Sequence, residues 1–409
     1  MKICFLIGST EIGGGTYVIY EHALYLQQIG WDVTLVPIWS PDFSSRPWHR
    51  ALEHLKFATV AEVAGQEFDL AVATWWRTIY ELLPNVRAQR YCYFVQSIES
   101  WFYQDSDVAL RNLVNATYLL PMPGVTEARW IKKHLGERFG HDYHLAPNGC
   151  RKEDYHAVGP VVASKRSNRL RVLVEGPLGV DFKNVARTIA LARRSLADEI
   201  WLLTSTPVTF FPGVDRVFSR VPTSECGSIY RSCNVLVKLS TIEGMFGPPL
   251  EMFHCGGTAI VYDVTGHDEY ISHNYNSIVV RTGDENAVVA ALNRLSTDPT
   301  ILAQLERGAL DTAAAWPDWT QASAYFADAM CAIVSKPPTD NKILMGMVRE
   351  FWAQYVRAEN AFQSSKRSSF LRRVSAVLEQ RQPGLVNGLR VAKAWLVEGR
   401  RQPAPREHI

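Results

Sequence analysis

The sequence predicts an α/β protein: two Rossmann-like domains built on parallel sheets, followed by a helical C-terminal extension. Three observations lead there. Short apolar runs rich in Val, Leu and Ile alternate with helix-length amphipathic segments, the pattern of strands joined by crossover helices. That alternation occurs twice, over residues 1–158 and again over 159–332, in a chain of 409 residues that is long enough for two substantial cores. Beyond Pro337-Pro338 the strand signal stops and only helical stripes remain, over residues 337–409.

Bulk composition narrows the class. A hydrophobic fraction of 47% with 21% charged residues describes a folded globular chain, neither disordered nor membrane-spanning. The formal net charge of +2 gives no global electrostatic case for nucleic acid as a partner. The seven cysteines are scattered, without a Cys-x-x-Cys pair or interleaved histidines. Reduced thiols and a cytoplasmic location are therefore expected, and a structural zinc is not. The apolar run after Met1-Lys2 is too short for a signal peptide and reads as the first strand.

In the first domain, Lys2 to Ile7 is that strand. Gly13-Gly14-Gly15 follows as a turn that lets the backbone approach a ligand, and Thr16 to Ile29 is a helix with Ile19, Ala23 and Leu26 on one face. Gly30 closes it and Trp31 to Val36 is the next strand, completing a βαβ unit. The glycines are consecutive rather than spaced Gly-x-Gly-x-x-Gly, and no acid follows the second strand at Pro37-Ile38-Trp39, so a dinucleotide site is not expected. Phe68 to Thr74 and Tyr91 to Gln96 are two further buried strands. The second runs into Gln96-Ser97-Ile98-Glu99-Ser100-Trp101-Phe102-Tyr103, an amide, a carboxylate and three aromatics at a strand end where α/β sheets collect ligands.

The second domain opens with strand Arg171 to Glu175, then Gly176-Pro177 and Lys183 at the entrance of a helix beginning near Asn184. An ammonium there can reach phosphate oxygens as a point charge. Glu199 to Thr204 is a strand, Ser228 to Cys233 a helix, and Asn234 to Leu239 and Thr258 to Tyr262 two strands. Between the last two lies the stretch Ser240-Thr241-Ile242-Glu243-Gly244-Met245-Phe246-Gly247-Pro248-Pro249-Leu250-Glu251. Pro248 and Pro249 suit the first turn of a crossover helix, and Gly256-Gly257 stops it. Glu243 then lies in the loop, Glu251 in the first turn, and the Phe246 and Gly247 amides at the positive helix terminus, where a diphosphate can dock. A carboxylate on each flank suits a ligand rich in hydroxyls, which together describes a nucleotide-sugar site. His267 and Asp268, after strand Thr258 to Tyr262, are expected to serve as loop or capping groups, with a role as ligand groups as the alternative.

That stretch resembles the Glu, seven residues, Glu signature of retaining glycosyltransferases of family 4, which have the GT-B fold. The likeness covers nearly all of residues 1–332 and implies two domains facing a cleft, a nucleotide-diphosphate sugar as donor and no metal or other cofactor. It implies catalytic roles for Glu243 and Lys183, and donor binding by Gly244, Met245, Phe246, Gly247 and Glu251, with Glu251 on the ribose. Arg220 and Val221 correspond to the edge of its base pocket. Gly13, Gly14, Gly15, Gln96 and Glu99 correspond to its acceptor or phosphate loop. Leu145-Ala146-Pro147-Asn148-Gly149-Cys150 looks like its strand-to-linker junction, and Trp316 to Ala329 like the helix that crosses back to the first domain. The chain departs at two points: Pro177 holds the slot of a usual arginine, and Gln96 stands where many relatives have a histidine nearby. Phe94-Val95-Gln96 is closer to rhamnosyl-type transferases of bacterial surface glycans. The acceptor implied is a glycan or a lipid-linked glycan. A transferase acting on a small natural product, and a non-catalytic GT-B scaffold in glycan assembly, stay open beside it.

In the extension, Asp340 can cap a helix whose stripes are Ile343, Met347, Phe351 and Tyr355 beside Leu344, Val348, Trp352 and Val356. Ser368 is expected to open a second, basic helix with Lys366, Arg367, Arg372 and Arg373, and Leu385, Leu389, Ala392 and Leu396 form a third stripe. Docking on the body is the first expectation for these faces. A homodimer, or peripheral contact with the inner face of the cell membrane, is the alternative.

Overall fold

The computed structural model describes residues 1–39, 47–166 and 169–381. The first sheet forms because its strands are apolar on both faces: Ile3 to Ile7, for example, are all fully buried. Its strands are β1 (Lys2–Ile7), β2 (Asp32–Pro37), β3 (Lys56–Phe57), β4 (Glu67–Ala73), β5 (Arg87–Val95), β6 (Gly124–Thr126) and β7 (His144–Leu145). The interleaved helices are α1 (Gly14–Gln28), α2 (Ala51–His54), α3 (Val60–Val63), α4 (Trp76–Asn85), α5 (Val108–Thr117) and α6 (Arg129–Phe139). The strands are parallel, in the order β3-β2-β1-β4-β5-β6-β7.

The second sheet comprises β8 (Arg171–Glu175), β9 (Glu199–Thr204), β10 (Arg216–Ser219), β11 (Val235–Lys238), β12 (Thr258–Tyr262) and β13 (Ser277–Val280). It carries α7 (Val185–Arg193), α8 (Thr223–Ser232), α9 (Gly247–His254), α10 (Glu285–Thr297) and α11 (Pro299–Ala315). The order β10-β9-β8-β11-β12-β13, again parallel, reverses direction between β8 and β11. Ligands of open α/β sheets gather at such a reversal, outside the carboxyl ends of the strands.

Two helices follow. α12 (Trp319–Ser335) returns to the first domain and packs on α1, where Phe326 stacks on the buried His22 ring at 4.1 Å. Ser323 and His22 Nδ1 share a 2.9 Å hydrogen bond, which gives the imidazole a partner in an apolar interface. α13 (Asn341–Arg381) is one continuous helix. The break expected at Ser368 is absent, because serine can be carried within a long helix and no glycine or proline interrupts residues 347–381. Leu344 and Val348 are buried, and Met347, Phe351 and Tyr355 lie half-buried against the body, so this part of the extension docks on the first domain. Trp352 meets Tyr80 of α4 at 5.5 Å. The stripe from Leu385 to Leu396 lies outside the described residues. No helix among the described residues is long and apolar enough to cross a membrane. All seven cysteines are unpaired.

Several boundaries differ from expectation. Gly14 and Gly15 belong to the first turn of α1 with Gly13 as N-cap, and none of the three has positive φ. α8 begins five residues before the expected Ser228, and α12 three residues after the expected Trp316, its Asp318 cap donated to by the Gln321 amide. Such ends are set by caps, which the apolar period does not encode.

Candidate functional site

Strand β11 emerges at Lys238, and the chain then runs through Glu243 to α9, at the reversal point of the second sheet. Pro248 and Pro249 occupy the first turn of α9, as their missing amides permit. Beside this loop, at the end of β8, a short 3-10 turn (Asp181–Lys183) is closed by Asn184 in the left-handed region, at φ 54°. That reversal delivers Lys183 to Glu243. The ammonium donates to both carboxylate oxygens at 2.9 Å, with the Glu243 side chain only 7% exposed. Burial opposes ionisation of Glu243, but the Lys183 and Lys238 charges outweigh it and hold the carboxyl below its usual range.

Beneath them is a pair absent from the expected set. Lys238, 3% exposed, donates to Glu175 Oε2 at 2.5 Å. A lysine inside a buried strand survives only when paired, and this one stays charged because Glu175 and Glu243 offset the cost of burial. It lies under the loop where Pro177 replaces the expected arginine: a Cβ built on Gly176 would be 3.8 Å from Lys238 Nζ and 3.9 Å from Lys183 Cβ. Glu251 sits in the second turn of α9 rather than the first, half-buried beside Tyr230 and Tyr155. Burial, reinforced by Glu175, pushes its carboxyl up to about 7.

The first domain closes over this loop. Gly244 carries no side chain because a Cβ would collide with the Gln96 carbonyl oxygen and stand 2.9 Å from Glu127 Oε1. Glu127 Oε1 accepts the Met245 amide at 3.0 Å, its Oε2 accepts Asn148 Nδ2 at 2.9 Å, and the Trp130 indole donates to the Gly244 carbonyl at 2.8 Å. Burial raises the Glu127 carboxyl to about 7, against the pull of those two donors. Phe102 stacks on Phe182 at 4.9 Å, and Arg129 pairs with Glu269 at 3.0 Å. The Tyr270 hydroxyl donates to the Phe246 carbonyl and fixes the far side of the loop.

The remaining expected residues divide. Gly15 does abut Gln96, whose amide lies 3.3 Å from where its Cβ would be, so a larger residue would press on that side chain. Glu99 points into the core: it accepts the Trp76 amide at 2.8 Å and the Tyr93 hydroxyl at 3.0 Å, is 3% exposed, and is raised by burial to about 8. It organises the strand ends beneath the cleft rather than presenting a carboxylate to it. Arg220, at φ 53°, ends β10 and reaches Glu11 of the first domain at 3.4 Å, with Val221 half-buried beside it. Gly13 and Gly14 meet nothing from the second domain within 4 Å of a built Cβ. His267 caps locally onto the Val264 carbonyl at 2.5 Å. No group of three or more metal-ligating side chains occurs among the described residues. Sequence reasoning missed Glu127, Trp130, Asn148, Tyr155, Tyr230, Glu175 and Lys238. Only Lys238, a lysine in a Val-Leu strand, carried a legible signal.

Comparison with known proteins agrees with this geometry. Residues 216–311, which span α8, β11, the Glu243 loop, α9 and β12, match the family model described as Glycosyl transferases group 1. The O-antigen biosynthesis protein RfbC of Myxococcus xanthus is 24% identical over 254 residues, which cover 59% of this chain and 19% of the relative. This chain thus spans under a fifth of the length of that curated relative. Sucrose-phosphate synthase from Thermosynechococcus elongatus superposes with a TM-score of 0.67 at 15% identity, covering 81% of this chain and 98% of that one. HepE of Anabaena, solved with UDP and glucose, gives 0.66 at 14% identity, covering 81% and 100%. At these identities the likeness is one of fold, and the fold is GT-B. Domain match, fold and curated relative together support a GT-B glycosyltransferase.

Proposed function

We propose that the protein transfers a sugar, with retention of anomeric configuration and without a metal ion, from a nucleotide diphosphate to a glycan or lipid-linked glycan in surface-polysaccharide assembly. One observation carries it: Lys183 and Glu243 converge at the start of the α9 loop, at the switch point of the second sheet. In the structure the ammonium is held by the carboxylate. With donor present, the diphosphate takes the ammonium and the amides at the α9 terminus, and Glu243 is released toward sugar hydroxyls. Stabilising charge on the departing diphosphate is the largest catalytic term available here. Lys238, charged and buried below, adds a second positive centre where the resembled family uses an arginine. Glu251, steadied by Tyr155 and Tyr230, holds the ribose diol.

A surface-polysaccharide role draws support from the O-antigen relative. A rhamnosyl donor rests on Phe94-Val95-Gln96 alone. The basic run Lys366, Arg367, Arg372 and Arg373 favours peripheral contact with anionic membrane, which would bring the enzyme to lipid-linked acceptors.

The test is a panel of UDP-, GDP- and dTDP-sugars with glycan acceptors, scored by nucleotide release and by the anomeric configuration of the product. Nucleoside diphosphates that neither raise the melting temperature nor appear as products would end the transferase reading. For the tail, replacing the four basic residues by alanine should abolish flotation with phosphatidylglycerol vesicles. Equal flotation of both forms would remove the membrane contact.

A further inference from the structure

We propose that Glu127 is the first domain's contribution to the donor-sugar subsite, accepting a hydrogen bond from a sugar hydroxyl whose oxygen in turn accepts the Met245 amide. This rests on the nucleotide-sugar reading above.

Glu127 follows β6 at the carboxyl edge of the first sheet and is 5% exposed. A carboxylate buried this deeply is ordinarily matched by a cation or by several donors. Here its hydrogen-bond partners are two neutral donors, Asn148 from the linker at 2.9 Å and the Met245 amide from the opposite domain at 3.0 Å. Met245 lies between Glu243 and α9, inside the loop that the proposed donor occupies. The Glu127 oxygen therefore stands where a ligand oxygen would accept from that amide. A sugar arriving there displaces the contact and leaves Glu127 short of a donor.

A hydroxyl resolves the shortage, because it is the one sugar group that accepts and donates at once. Inserted between amide and carboxylate, it satisfies both. A ring methylene or a deoxy position satisfies neither. Next to this point the interior holds further polar atoms without protein partners: Thr126 Oγ1, Asn148 Oδ1 and Ser97 Oγ are all buried and unbonded. Native interiors rarely leave such atoms idle. They leave the first domain's strand ends, beside Gln96 and Glu127, with hydrogen-bonding capacity that the protein itself does not use. The donor is thus a hexose with a free hydroxyl facing the first domain, read only when the two domains are closed. Nucleotide recognition, on the second domain alone, is independent of Glu127.

That separation supplies the experiment. Titration calorimetry compares wild type, Glu127→Ala and Glu127→Gln with UDP and UDP-glucose, GDP and GDP-mannose, and dTDP and dTDP-rhamnose. For whichever pair wild type binds, Glu127→Ala should leave the nucleoside diphosphate affinity unchanged or tighter, which also shows the variant to be folded. It should weaken the nucleotide sugar by about tenfold or more, the scale of one hydrogen bond to a charged acceptor. Glu127→Gln, which keeps an acceptor oxygen, should weaken it less. Equal weakening of diphosphate and sugar, or of neither, overturns the assignment while leaving the transferase reading intact. Failure of wild type to bind any diphosphate overturns both.

Discussion

Lys183 and Glu243 neutralise each other, so each is the other's cost if one is removed. Lys183→Ala strands a carboxylate with 7% exposure, and turnover of nucleotide sugar should fall by about 10²–10³-fold, the loss seen when one stabilising donor is taken from a developing anion. Steady-state kcat measures it, and a variant with near-wild-type kcat would remove Lys183 from the mechanism. Glu99 makes a prediction of the opposite kind, about folding. The folded protein keeps its proton up to about pH 8, whereas the unfolded chain releases it near 4.5. Stability from this group is therefore intact below pH 4.5 and declines as pH rises through the interval to 8. Ionised Glu99 should cost on the order of a few kcal/mol at the top of that window. Glu99→Gln keeps an acceptor for the Trp76 amide and cannot ionise, so its melting temperature should gain on wild type as pH goes from 5 to 8. A gap that stays constant would show Glu99 to be unperturbed.

At the scale of elements, α13 decides whether the extension is part of the body. Its first turns bury Leu344 and Val348 against the first domain, with Trp352 on Tyr80. Leu344→Ala opens a cavity in that seam and should cost about 2–5 kcal/mol, read by urea denaturation. A loss under half a kcal/mol would mean the helix is attached loosely. The apolar stripes from Ile343 to Val356 are visible in sequence, but Ile343 at 53% and Val356 at 40% exposure sit outside the packed face. Which part of a wide apolar face is covered depends on the surface that meets it, and Tyr80 and the α5 residues are far away in the chain. The expected break at Ser368 failed for a related reason: a serine can cap or be carried, and local sequence does not choose between them.

For the whole molecule, contacts across the cleft join the two domains. Trp130 and Glu127 hold the Gly244-Met245 backbone, Phe102 stacks on Phe182, and Arg129 pairs with Glu269. These contacts are polar and aromatic, of the kind that lets domains part. Trp130→Phe combined with Phe102→Ala should therefore raise the radius of gyration in solution scattering, and a nucleotide sugar should restore it. An unchanged radius would place the closing force elsewhere, on Arg220 with Glu11 or on α12.

Sequence alone determined the two parallel sheets, the crossover loop from Glu243 to α9, and the presence of Lys183 beside it, since each is written in local period, proline placement and a contiguous run. It misassigned Glu99 and did not contain Glu127, Tyr155 or Tyr230 as site residues. A carboxylate looks the same in sequence whether it faces a cleft or accepts the Trp76 amide inside a core. Its environment is made by strands that meet only in three dimensions, β6 against the α9 loop and β4 against the end of β5. The tertiary structure thus decided which charges are paired, and hence which groups a donor must displace.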